Sequence, residues 1–350
     1  MEKKTNNDYP NLKLSTWFNN TVRNTNMIFE KELAAAISAV QKASRVCKTV
    51  SETSSAISSV QKEDHSPVSV ADLASQALIT LALREDYPED PIVGEEEAKT
   101  IQQHKHLGNK VLDLIRKETN GLNLETLLEI VDYGSKSFDS NKRFWTVDPI
   151  DGTKGFLRGD QFAVALALLE RGQVVLGVLG CPNMAIDNTK PQNLGVLLYA
   201  VKGHGTFAMP LNGQNPKKVF VDSITRVSMA RFCESVEKNH ASHDQHQKIA
   251  DALGITATPC RMDSQVKYAA LARGEASIYL RLPRVKDYRE KIWDHAAGSI
   301  IVEEAGGKVT DFKGNPLQFN LGKKLENNIG ILATNKHLHT QVLEAIAEVI

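Results

Sequence analysis

Residues 162–169 read Phe-Ala-Val-Ala-Leu-Ala-Leu-Leu, and a second apolar run, Val174 to Leu179, begins a few residues later. Between them lies Arg171-Gly172, room for a tight reversal only, so the two runs predict a β-hairpin. The pattern returns at once. "LGVLLYAV" (194–201) and "GTFAM" (205–209) are joined through Lys202-Gly203-His204. Consecutive hairpins commit this part of the chain to antiparallel sheet and argue against a simple doubly wound parallel fold.

Helices surround these strands. Leu33, Ile37, Val40, Cys47 and Val50 recur near the helical period, which predicts a helix from Glu32. A loop broken by Pro67 precedes a second helix from about Asp72 to Leu83, and a third runs from Leu124 to Asp132. "PIVGEEE" (91–97) reads as a short strand entering an acidic loop, and "RFWTV" (143–147) as a strand that delivers Asp148. The second half alternates more. Ser242 with Gln245 forms a capping box for a helix ending near Gly254. "DSQVKYAALARG" (263–274) is a helix stopped by Gly274, followed by the strand "ASIYLRL" (276–282). "WDHAAGSIIVEEAGG" (293–307) is a helix with Asp294 at its mouth, and a strand "NIGILAT" and a last helix finish the chain. The expected fold is an α+β layered sandwich (αβαβα) in two lobes with mostly antiparallel and mixed sheets. We divide it into an extension 1–30 and lobes 31–200 and 201–350, the boundary falling somewhere near 185 to 220.

Charge narrows the partners. Lysine and arginine number 42, aspartate and glutamate 42, so no global field favours nucleic acid or an anionic membrane. No apolar run approaches the ~20 residues of a membrane span. A charged ligand must therefore be met by a local cluster. Cys47, Cys181, Cys233 and Cys260 are scattered without metal-type pairing and read as reduced thiols of an intracellular protein, with a regulatory disulfide left open. The polar residues 1–30 lack a secretory apolar region, so a cytoplasmic protein is expected, with an organelle address left open; a monomer is a separate expectation.

The local cluster is acidic. Asp72, Glu95, Asp148, Asp151 and Asp294 each lie at a helix mouth, strand end or sharp turn. In "DPID" (148–151) Pro149 stiffens the turn, and residues three apart in a turn-like backbone face one side. Asp148 and Asp151 can then face one ion, with the Ile150 carbonyl free to join them. Gly152 permits close backbone approach, and Thr153 opens a helix whose N-terminus suits an anion. Acids beside an anion pocket repel it unless cations intervene. Unit charges about 4 Å apart interact by roughly 4 kcal/mol at an effective dielectric of 20. An all-oxygen ligand set selects Mg²⁺, Mn²⁺ or Ca²⁺ over zinc. Blander readings stand beside this one. Asp72 and Asp294 suit plain N-caps, Glu95-Glu96-Glu97 a solvated loop, and "DPID" a structural turn. Lys267 and Arg281 can converge on one phosphate or be surface charges. His240, His243 and His246 recur every three residues, but no cysteine or carboxylate set accompanies them, so zinc is not expected.

Two stretches, "DPIDGTKGF" (148–156) and "WDHAAGS" (293–299), resemble the paired signatures of the lithium-sensitive, magnesium-dependent phosphatases, the superfamily of inositol monophosphatase and fructose-1,6-bisphosphatase. "SPVSVADLASQ" and "VGEEE" extend the likeness, which runs from about Glu32 to the C-terminus. "RFWTVDPIDGTKGFLRGDQFAVALALLE", "VEKNHASHD", "MDSQVKYAALARG", "IYLRLP" and "REKIWDHAAG" are similar to the 3'(2'),5'-bisphosphate nucleotidases, which include the fungal salt-tolerance enzyme. The resemblance implies a sugar-phosphatase-like fold and removal of the 3'-phosphate of 3'-phosphoadenosine 5'-phosphate. It also implies action on the 5'-phosphosulfate of sulfur metabolism, and inhibition by lithium. Alternatives are an inositol polyphosphate 1-phosphatase, an inositol monophosphatase, or a non-catalytic nucleotide sensor.

By position, the resemblance makes Glu95, Asp148, the Ile150 carbonyl, Asp151 and Asp294 the ligands of two or three magnesium ions. Asp72 and Thr153 match the pair that activates the attacking water. Gly152, Thr153, His240, Ser264, Lys267, Arg281 and Asp294 match the substrate-binding positions. This makes 31–200 the catalytic lobe and 201–350 the substrate lobe, which contributes Asp294. "VADL" lacks an aromatic residue often found after the aspartate, and "KNH" replaces a glycine-containing form.

Overall fold

The computed structural model describes residues 28–53, 59–62, 67–119, 121–134, 138–187, 189–213, 215–236, 243–283 and 287–350. Helix α1 (Glu30–Thr53) buries Leu33, Ile37, Val40, Cys47 and Val50, the stripe its period predicts. The short antiparallel pair β1 (Ser59–Gln61) and β2 (Pro67–Ser69) leads into helix α2 (Val70–Asp86). Strand β3 (Ile92–Gly94) precedes three helices, α3 (Ala98–Gln103), α4 (Lys105–Ile115) and α5 (Leu124–Tyr133). The first two are unheralded in sequence. Helix α4 buries only Leu107, Gly108, Val111 and Ile115, too thin a stripe to stand out among polar neighbours.

Strand β4 (Phe144–Asp151) and the short helix α6 (Thr153–Arg158) open a meander of β5 (Ala163–Glu170), β6 (Gln173–Ala185), β7 (Leu194–Val201), β8 (Gly205–Pro210) and β9 (Lys217–Val219). The seven-stranded sheet has the order β3-β4-β5-β6-β7-β8-β9, and every pair but β3–β4 is antiparallel. At the β5–β6 reversal, Arg171 (φ 51°) and Gly172 (φ 75°) both adopt positive φ, as a type I′ hairpin requires. Strands β8 and β9 lie beyond residue 200 yet pair into this sheet.

The rest of the chain adds β10 (Phe232–Glu234), α7 (His243–Ala252), β11 (Cys260–Arg261), α8 (Val266–Ala272), β12 (Ile278–Arg281), α9 (Ala296–Glu304), β13 (Lys308–Thr310), β14 (Ile331–Thr334) and α10 (His339–Val349). The second sheet has the order β11-β10-β12-β14-β13 and mixes parallel with antiparallel pairs. Cys233 and Cys260 are register partners in it, so these two thiols are neighbours. Ser242 and its part in a capping box lie outside the described residues.

Side-chain alternation builds the layers. In β5, Val164, Leu166 and Leu168 join the core beneath α1 and α2, while Ala163, Ala165 and Ala167 face the core shared with α8 and α9. Small residues let α9 approach closely: a Cβ on Gly177 would lie 2.6 Å from Ile300 Cγ2. That second core also takes Tyr279, Val309, Ile331 and Ala333 from the smaller sheet, so α8 and α9 lie between the two sheets. On the far side, Ile278, Leu280 and Leu332 pack with α7 and α10. The order is helices, sheet, helices, sheet, helices, an αβαβα sandwich.

Candidate active site

The site begins where β4 breaks its pairing. The register with β5 shifts between Asp148 and Asp151, and Ser75 Oγ on α2 donates to the Pro149 carbonyl at 2.8 Å. The irregularity re-aims both aspartates. Gly152 (φ 88°) takes a conformation that favours glycine, and a Cβ there would meet Ser264 Cβ at 2.9 Å. The segment before α8 therefore abuts the turn directly. It is fastened there by the Gln265 amide, which donates to Asp151 Oδ2 at 2.6 Å.

Helix α2 starts at Val70 with Ser69 as its N-cap, so Asp72 is not the cap itself. The Ser69 amide and hydroxyl donate to Asp72 Oδ2 at 2.8 and 2.6 Å, and Ser69 Oγ accepts from the Asp72 amide, a reciprocal box. Asp72 Oδ1 is left to face Thr153. Thr153 Oγ1 lies 3.2 Å from that oxygen and 3.2 Å from the Ile150 carbonyl, so its single proton has two acceptors. Burial raises the Asp72 carboxyl to about 6, against the pull of the Ser69 hydrogen bonds.

The acidic run divides by burial. Glu95 is half-buried, Glu96 buried and Glu97 exposed, so only Glu97 fits a solvated loop. Gln76 holds the backbone of Glu96, donating to its carbonyl at 2.7 Å and accepting from its amide at 2.9 Å. Lys62 Nζ meets Glu95 at 3.1 Å and Glu96 at 2.7 Å.

Asp294 closes the group. It precedes α9 by two residues, with His295 at the N-cap position, so a capping role for Asp294 is corrected too. Burial and the charges of Glu95, Asp151 and Asp294 push the Asp148 carboxyl well above its usual range. Asp294 is raised in the same way by burial and by Asp151 and Glu95, against the opposing charge of Arg281. Acids distant in sequence thus share one low-dielectric space. Asp148 Oδ1 and Glu96 Oε2 are buried without a hydrogen-bond partner. Buried, unpartnered, all-oxygen donors fit a hard divalent cation.

Beside the acids stand two cations that are not surface charges. Lys267 is 2 % exposed, with Nζ 3.4 Å from the Met262 carbonyl and 5.3 Å from the Tyr279 ring centroid. Burial lowers its pKa against the attraction of Asp151. Arg281, the last residue of β12, donates to Asp294 Oδ2 at 3.3 Å. His240 lies outside the described residues. Lys62, Ser69, Glu96, Gln265 and Glu290 escape sequence reasoning. A capping-box spacing, Ser69 to Asp72, could have found Ser69; the others are set by tertiary contact. His246 is buried beside Glu234 at 3.6 Å.

Residues 29–350 match the model of the inositol monophosphatase family. A 3'(2'),5'-bisphosphate nucleotidase of Schizosaccharomyces pombe is 41% identical over 341 residues, covering 92% of this chain and 97% of the relative. One from Oryza sativa is 43% identical over 343 residues, covering 92% and 95%. Among solved structures, extragenic suppressor protein suhB from Bartonella henselae superposes with a TM-score of 0.64 at 21% identity, covering 92% and 100%. Inositol monophosphatase from Anabaena (Nostoc) gives 0.61 at 21%, covering 92% and 97%. These two show the fold. No helix among the described residues is long and apolar enough to cross a membrane.

Proposed function

The chain belongs to the inositol monophosphatase family, and we propose that within it the chain is a magnesium-dependent phosphatase that removes the 3'-phosphate of 3'-phosphoadenosine 5'-phosphate, giving AMP and phosphate. It acts on the corresponding 5'-phosphosulfate too. One observation carries the substrate choice: two cations, the buried Lys267 and the half-buried Arg281, stand next to the acid cluster. A monophosphate needs one anion pocket; a bisphosphate needs a second, and this pair of cations provides it.

Glu95, Asp148, the Ile150 carbonyl, Asp151 and Asp294 would hold two or three magnesium ions. When bound, magnesium supplies Lewis-acid polarisation of the phosphoryl group and lowers the pKa of a coordinated water. The chain's own groups do the rest. Thr153 Oγ1 accepts a hydrogen bond from the attacking water while its proton lies toward Asp72 Oδ1, which orients the lone pair for in-line attack. Ser69 fixes Asp72 so that Oδ1 stays turned to Thr153. The amides near Gly152 and Thr153 receive the reacting phosphate. Ser264, Lys267 and Arg281, with His240, hold the nucleotide and its remote phosphate. Four free cysteines fit a reducing compartment, and we take the chain to be a cytoplasmic monomer.

The test is phosphate release measured side by side on 3'-phosphoadenosine 5'-phosphate and inositol 1-phosphate. Magnesium-dependent turnover that favours the nucleotide supports the proposal. Preference for the inositol ester moves the chain to an inositol phosphatase, and nucleotide binding without turnover at saturating magnesium makes it a sensor.

A further inference from the structure

Arg281 stands between two carboxylates. Its Nε is 2.8 Å from Glu290 Oε2, and its Nη2 is 3.3 Å from Asp294 Oδ2. Ligand atoms of Glu290, Asp294 and His295 lie within 4.8 Å of one another, the spacing of a metal site, and the guanidinium already supplies a cation there. Glu290 is held from behind. His295, fully buried, brings Nε2 to Glu290 Oε2 at 3.2 Å, and Tyr268 OH meets His295 Nδ1 at 2.8 Å. A neutral imidazole satisfies both contacts: Tyr268 donates to Nδ1, and Nε2–H donates to Glu290.

The two carboxylates are not equivalent. Glu290 is 4 % exposed, and its carboxylate meets Arg281 and His295. Asp294, on the proposed function, must serve magnesium, and a guanidinium resting on it competes for the same oxygen. We infer that Glu290 is a positioning residue that draws Arg281 off Asp294. It thereby frees that acid for magnesium and leaves the Nη edge of Arg281 for the remote phosphate of the substrate. The inference rests on the proposed roles of Asp294 and Arg281 and adds a division of labour between their two anchors. It makes metal affinity and bisphosphate recognition depend on one buried glutamate that touches neither ligand.

Glu290→Gln keeps the shape and removes the charge. Arg281 then turns to Asp294 as its remaining anionic anchor. Magnesium binding is read by calorimetry without substrate, alongside KM and kcat for 3'-phosphoadenosine 5'-phosphate. The variant should bind magnesium roughly tenfold more weakly and show a raised KM, with kcat at saturating magnesium and substrate little changed. Adding Arg281→Ala should restore magnesium binding and leave KM high, because the competing cation is gone. Glu290→Asp should retain part of both properties. A mere folding defect would not be mended by a second truncation. Magnesium affinity and KM within twofold of wild type in Glu290→Gln overturn the inference, as does failure of Arg281→Ala to restore binding. If wild type itself binds no magnesium or turns over no nucleotide, the underlying function is what fails. If Glu290→Gln does not fold, Glu290→Asp and Arg281→Ala measured separately carry the test: weaker metal binding in the first and tighter in the second.

Discussion

At the start of β4, Arg143 reaches Asp90 at 2.7 Å, Glu170 at 3.0 Å and Glu32 at 3.2 Å. At the end of the same strand, Asp148 lies among Glu95, Asp151 and Asp294 with Oδ1 unpartnered. Both ends gather carboxylates from distant parts of the chain, and they differ in whether the charge is answered. Around Arg143 one guanidinium serves three acids, and Trp145 Nε1 adds a further hydrogen bond to Asp90 at 3.1 Å. That end ties α1 and the hairpin strand β5 to the loop before β3. Around Asp148 the acids repel one another; Lys62 meets Glu95 and Arg281 meets Asp294, while Asp148 itself is buried with Oδ1 unpartnered, so a demand for cations remains there. Answered charge is architecture; unanswered buried charge is a place for a ligand.

The sharpest way to break this contrast is Asp148→Asn. We expect phosphate release to fall by roughly a thousandfold, while the metal-free protein melts no lower than wild type, because a repelling charge has gone. A large loss of metal-free stability would make Asp148 architectural. Arg143→Ala should do the reverse. Three acids lose a shared partner, costing about 3 kcal/mol in denaturant titration, with kcat nearly untouched. Lys267→Ala comes next. It should raise KM roughly tenfold on a bisphosphate nucleotide and leave an inositol monophosphate almost unaffected; equal loss on both would put Lys267 at the reacting phosphate.

The smallest effect is in pH. The Asp72 carboxyl, raised by burial from its ordinary 3.8 to about 6, adds stability at pH below 3.8 and loses it as pH rises through about 6. Asp148 and Asp294 are shifted in the same direction. The Asp72 contribution to metal-free melting temperature therefore falls from pH 5 to pH 8, and the rise on adding magnesium should grow by a few degrees over that span. Thermal scans with and without magnesium measure it. A rise that shrinks toward pH 8 would mean that protons and magnesium do not compete for these acids.

Much is legible in the sequence. The hairpin through Arg171-Gly172 set the antiparallel meander, because two residues leave a chain no other way to turn. The buried stripe of α1 was legible too, since periodicity records which face meets a core. The signature "DPIDGTKGF" marked the acid turn. Helices α3 and α4 were not legible, because their buried stripes are thin. The parts played by Lys62 and Glu290 were hidden too, since each is defined by partners that sequence spacing does not reveal.

By itself the sequence determined the local geometry: strand, break, glycine and helix mouth around residues 148–153, and the residue types able to hold a hard cation. Only the tertiary structure decided which of those charges face one another. Local conformation depends on neighbours along the chain, whereas burial and field depend on neighbours in space. Glu95, Glu96 and Glu97 are three identical side chains in a row, and packing against Gln76 and Lys62 made one buried, one shared and one free in solvent.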